Sequence, residues 1–136
     1  MELTLTMAQA MAQAMVARAI EEATSRFGRP ICVAVCDQYG FLLAFGRMDG
    51  APVRSIQIAQ CKAYTAARIG IGTTAFHERL QGQGYPASYF CDPGLTGLPG
   101  GAVLRGVGDS VAGGVGISGL LPAEDQVIAD LVAGPA

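Results

Sequence analysis

A chain of 136 residues with half its side chains apolar, 15% charged and a net charge of −2 has room for one domain, residues 1–136, around a single core. It has no cationic run, no Arg/aromatic interleaving, no tryptophan and no apolar stretch of about 20 residues, which excludes nucleic acid and a membrane span as partners. So low a charge content points to surface shared with copies of itself, a homo-oligomer.

In chain order, Thr6 followed by Gln9 is a capping-box pattern that predicts a helix from Met7 to about Arg26, ended by Gly28 and Pro30. Met7, Met11 and Met15 recur every four residues on that helix and read as a core or subunit-packing stripe rather than as haem ligands. Ile31 to Asp37 and Phe41 to Met48 are Val/Ile/Leu/Phe-rich strands, joined by the turn Asp37-Gln38-Tyr39-Gly40. Gly50-Ala51-Pro52 breaks the second strand, and Ser55 is placed to cap a helix that carries Lys62 and ends near Gly70. Thr73 or Thr74 caps a shorter helix with His77, Glu78 and Arg79. Residues 82–101 hold Gly, Pro, Tyr and Asp without a sustained apolar period, the pattern of a long binding loop. Ala102 to Arg105 and Val111 to Ser118 form a second hairpin, and Glu124 and Asp125 open a last helix whose positive N-terminus suits them. Hairpins and helices in this order predict an α+β fold with an antiparallel sheet.

The cysteines and the opening residues place the chain in a compartment. Cys32 and Cys36 share a strand face about 13 Å apart, beyond disulfide reach. Cys61 sits on a helix and Cys91 in a loop, and no C-x-x-C or zinc-like spacing occurs. No metal site is expected. Met1-Glu2 opens the chain with no cationic segment ahead of an apolar one, so no secretory leader is expected either. A reducing cytoplasm fits both.

Lys62 is the one lysine among nine basic residues. Arg47, Asp49 and Lys62 are the polar groups expected to converge, because a short connection joins the hairpin end to the following helix. Ser118, Glu124 and Asp125 follow the final strand and are expected at the same crevice. Mutual pairing of these charges is the rival reading, since buried charges need partners whatever their role. Gly100 and Gly101 after Pro99 offer consecutive backbone N–H groups that could cradle an anion, or else a tight turn that needs positive φ. Gly113-Gly114-Val115-Gly116 has the composition of a phosphate loop, but no helix follows it directly.

A neutral Lys62 could attack a carbonyl or take a proton, whereas a charged one would bind a carboxylate. Burial would lower its pKa from about 10.4, and Asp49 and Asp125 would hold the charge on, so the anchor role is expected. The ligand class is a small anionic or carbonyl-containing molecule. No Ser/His/Asp or Cys/His set is apparent, because His77 and its neighbour Glu78 point in different directions on a helix.

The chain resembles the GlcG/HbpS family of bacterial haem-binding or haem-degrading proteins. The resemblance runs through Val33-Ala34-Val35-Cys36-Asp37-Gln38-Tyr39-Gly40, Phe45-Gly46-Arg47-Met48-Asp49-Gly50-Ala51 and Lys62-Ala63-Tyr64-Thr65-Ala66-Ala67. It continues in Pro99-Gly100-Gly101, Gly114-Val115-Gly116-Ile117-Ser118-Gly119 and Glu124-Asp125-Gln126. It implies a profilin-like antiparallel sheet of about five strands flanked by helices, and assembly into dimers to octamers. The family includes a domain of some cobalamin adenosyltransferases. It further implies a small-molecule-binding accessory protein that takes haem or another tetrapyrrole; the alternative is a small catabolic enzyme with Lys62 in its pocket. The family's haem binders use a histidine in the N-terminal part of the chain, whereas here the single histidine is His77. Haem is therefore expected to bind weakly, with His77 as the imidazole ligand and Cys91 as the accessible thiolate alternative.

Overall fold

The computed structural model describes residues 7–134. The elements are α1 (Met7–Arg26), β1 (Cys32–Asp37), β2 (Leu42–Arg47), α2 (Arg54–Ile69), α3 (Thr73–Gln83), β3 (Gly101–Arg105), β4 (Val111–Ser118) and α4 (Pro122–Ala133). Single 3-10 turns stand at Ala87–Phe90 and Val107–Asp109. The fold is α+β, with a four-stranded antiparallel sheet in the order β2-β1-β4-β3. The described residues supply four strands where about five were expected, and the Thr6 cap lies outside them.

Strand alternation divides the core in two. Val33, Val35, Val115 and Ile117 point toward α1 and α4 and meet Ala12, Ala19, Ala23 and Ile128 there. Cys32, Ala34 and Cys36 point the other way, against Ala59, Ala63 and Ala67 of α2. The glycine run of β4 belongs to this second layer. A Cβ on Gly116 would strike the Ala59 carbonyl and the Ala63 amide nitrogen, and one on Gly114 would strike the Ala63 carbonyl. The run is a trough that lets an alanine-faced helix lie on the sheet, and its resemblance to a phosphate loop ends there.

Of the methionine stripe, Met15 packs against the core while Met7 and Met11 are exposed. Two expected caps are replaced. Val53 and Gly72 occupy the N-cap positions of α2 and α3, while the Ser55, Thr73 and Thr74 hydroxyls bond to side chains elsewhere. Asp37 caps the β1–β2 turn, its Oδ1 accepting the Tyr39 and Phe41 amides at 2.9 and 3.0 Å. No helix among the described residues is long and apolar enough to cross a membrane.

Candidate functional site

Lys62 stands on the sheet-facing side of α2 and is 2% exposed, as is Asp125 in the first turn of α4. Its Nζ donates to the Ile117 carbonyl at 2.7 Å and to Asp125 Oδ2 at 3.1 Å. Asp125 Oδ1 accepts the Leu120 amide at 3.1 Å. Burial pushes Lys62 below the ordinary lysine value and Asp125 above the ordinary carboxylate value, while their mutual attraction opposes both shifts. The pair thus closes on itself at the junction of α2, β4 and α4.

Gly100 and Gly101 seal this junction. At Gly100 (φ 126°) a Cβ would lie 2.7 Å from Lys62 Nζ and 2.9 Å from the Asp125 Cβ. Their amides are already bonded: Gly100 N–H to Gln126 Oε1 at 2.7 Å and Gly101 N–H to Thr73 Oγ1 at 2.7 Å. The anion cradle expected here is therefore corrected to a glycine lid over an ion pair. Gln126 is its hub, since Oε1 also accepts from Thr74 at 2.8 Å and Nε2 donates to Gly101 O at 2.9 Å.

The remaining expected residues disperse. Ser118 is buried and donates to Ser55 Oγ at 3.1 Å. Glu124 turns outward to Arg29 at 2.6 Å and back to the Leu121 amide; the Arg29 hydrogen bond, ahead of that amide, holds its carboxyl below the usual range. Arg47 ends β2 opposite Cys32, and both it and Asp49 are exposed. The convergence of Arg47 and Asp49 on Lys62 is replaced by the Asp125 pairing.

An open cavity of about 450 Å³ lies elsewhere, between the β1–β2 turn, α2 and the loop at Asp92-Pro93-Gly94. Tyr64 ties its three walls together. Its ring is pressed between Gly40 and Gly94, where a Cβ would come within 2.5 and 2.6 Å of ring carbons. Its hydroxyl donates to the Asp92 carboxylate, 2.8 Å from Oδ2 and 2.9 Å from Oδ1. Burial, then the bond to Asp92, raises the phenol's pKa, so it keeps its proton. Arg68 lies over the ring at 4.6 Å, donates to Tyr39 O at 2.9 Å and sits 3.6 Å from Asp92. Thr65 holds the same loop by accepting the Thr96 amide at 2.9 Å.

Tyr64→Phe removes one charge-assisted hydrogen bond and should cost roughly 1–2 kcal/mol, read as a lower urea midpoint with earlier proteolysis in the loop. Unchanged values would mean that Tyr64 does not latch the loop. Sequence reasoning missed Tyr64, Asp92 and Gln126. The Tyr64/Arg68 spacing of four on a helix was the visible signal.

His77 is exposed on α3, with Nδ1 3.1 Å from the Gly97 carbonyl. A carbonyl only accepts, so Nδ1 carries the hydrogen and the lone pair falls to Nε2. Cys91 is exposed, with its thiol 3.7 Å from Tyr89 O. Burial pushes the Cys36 thiol up to about 12.

The family model for haem degrading protein HbpS-like proteins matches residues 3–133. Protein GlcG of Escherichia coli (strain K12) is 36% identical over 118 residues, covering 87% of this chain and 85% of GlcG. The crystal structure of a Streptomyces reticuli HbpS double mutant superposes with a TM-score of 0.83 at 28% identity, covering 98% of this chain and 88% of that one. PduOC, solved as a haem complex, has a TM-score of 0.77 at 24% identity over 96% of this chain and 93% of its own, a likeness of fold alone.

Proposed function

The chain belongs to the HbpS-like family, and from that premise we propose that it is a single-domain cytoplasmic accessory protein that assembles with copies of itself and binds haem or a related tetrapyrrole weakly. The observation that carries this reading is His77. Its Nδ1–H is held by the Gly97 carbonyl, the arrangement that orients an imidazole and leaves Nε2 as donor to a metal. These residues suit a haem iron as an open site with one protein ligand. Exposure on the helix surface and a single protein ligand would keep the binding weak. Haem supplies the iron that would accept the Nε2 lone pair. The protein supplies the fixed tautomer and the ring orientation.

Turnover on a small carboxylate or carbonyl compound through Lys62 has less support, because its amine is buried and bonded to Asp125 and Ile117. Titration with hemin should give a saturable Soret shift that is lost in His77→Ala and kept in Cys91→Ser. A band indifferent to His77→Ala and lost in Cys91→Ser would replace imidazole by thiolate ligation. A wild-type protein without a saturable band would end the haem reading.

A further inference from the structure

The cavity latched by Tyr64 has no role in the haem reading, since His77 stands on α3 outside its walls. We propose that this cavity binds a neutral, planar heteroaromatic molecule whose edge carries a lactam or imide group.

Size and rigidity come first. About 450 Å³ falls within the usual range for small-molecule sites. Its walls are set before any ligand arrives, by the glycine-flanked Tyr64 ring, the Asp37-capped turn and the Asp92-capped loop. A pocket formed in advance saves the ordering that binding otherwise costs.

Charge comes second. Asp92 is bonded to Tyr64 and the Gly94 amide and lies near Arg68. The Tyr64 phenol and the Cys36 thiol both keep their protons. Lys62, the expected anchor for an anion, is bonded to Asp125 instead. An anion would therefore lose its hydration without meeting a free positive charge, and a cation would meet only Asp92, whose charge Arg68 already offsets.

Shape and edge chemistry decide the rest. Phe41, Leu42 and Pro93 give apolar surface for the flat faces of a ring. Gln57 and Gln60 stand three residues apart on α2, on adjoining positions of one helix face, and both line the cavity. Gln60 uses one N–H on the Ile56 carbonyl at 3.0 Å, and Gln57 makes only a 3.6 Å contact to the Cys61 sulfur, a weak acceptor. Each amide therefore keeps a carbonyl and an N–H that present an acceptor beside a donor. A lactam or imide presents the complementary pair.

The probe is lumiflavin, a neutral tricyclic imide with intrinsic fluorescence, titrated against the full chain. We expect a saturable one-to-one change with a Kd on the order of 100 µM. Gln57→Leu/Gln60→Leu should weaken it at least tenfold, and Cys61→Trp, which fills the cavity, should abolish it. N3-methyl-lumiflavin, lacking the imide N–H, should bind the unaltered protein at least tenfold more weakly, a comparison that needs no variant to fold. His77→Ala should leave lumiflavin binding unchanged, so this proposal and the haem reading fail separately. No saturable signal, or equal affinity for the two flavins, overturns the proposal.

Discussion

Asp125→Ala is expected to destabilise the fold by about 3–5 kcal/mol, because it leaves the Lys62 ammonium buried without its counter-charge. It also strips the Leu120 amide of its acceptor. Lys62→Met should cost a similar amount by leaving the Asp125 carboxylate alone. The double change Lys62→Met/Asp125→Asn should fall within about 1 kcal/mol of the parent or exceed its stability, since a matched neutral pair avoids the desolvation of two ions. The amide introduced by Asp125→Asn carries no charge but still offers an oxygen to the Leu120 N–H, which the alanine variant leaves unmet. Equilibrium unfolding in urea of the parent, Lys62→Met, Asp125→Asn and Lys62→Met/Asp125→Asn closes the cycle that measures this coupling. Additive costs would mean that the two side chains do not form one unit.

The same pair sets a pH dependence with a definite sign. Asp125 is raised, so the native state holds its proton more tightly than the unfolded chain does. Its contribution to stability is present below the unfolded carboxylate value and is lost as pH rises through the native one. Lys62 is lowered, so its contribution is present above the unfolded amine value and is lost as pH falls through the native one. Relative to Lys62→Met/Asp125→Asn, the parent should therefore be least stable between the two native values and should gain on either side. A flat difference across that range would contradict the assignment.

Gly116→Ala is the second large effect, a loss of about 3 kcal/mol or more. The new methyl would meet the Ala59 carbonyl and the Ala63 amide, both backbone atoms of α2, so no side-chain rotation relieves the clash. The helix has to lift from β4, and Lys62 lifts with it. Gly82→Ala is the control, because nothing stands within 4 Å of that position and alanine suits a helix interior. Thermal unfolding that ranks the two variants alike would show that the sheet–helix approach is not close.

Periodicity made α1, the two hairpins and α4 legible, because alternation in Val33/Val35 and Val115/Ile117 and the alanine spacing of α1 are local patterns. The positions of Ser55, Thr73 and Thr74 misled for a physical reason. A hydroxyl near a helix start suits a cap, yet here each hydroxyl bonds to a side chain brought in by a distant segment. Lys62 stood out by being a single lysine, and Asp125 was among its expected partners. What sequence could not show was that Gly100 closes over the pair, nor that its amide is taken by Gln126, because both depend on how β3 enters the sheet. The cavity escaped for the same reason: Cys36, Tyr64 and Asp92 lie on three separate segments, and only the fold brings them together.

The most direct test separates the buried pair from ligand binding. Hemin is titrated by Soret absorption into Lys62→Met/Asp125→Asn and into His77→Ala, each first checked for native far-UV circular dichroism. The double variant should show the parental band and affinity, and His77→Ala should show no specific band. A folded double variant that loses haem while His77→Ala retains it would contradict ligation by His77 and return the ligand to Lys62.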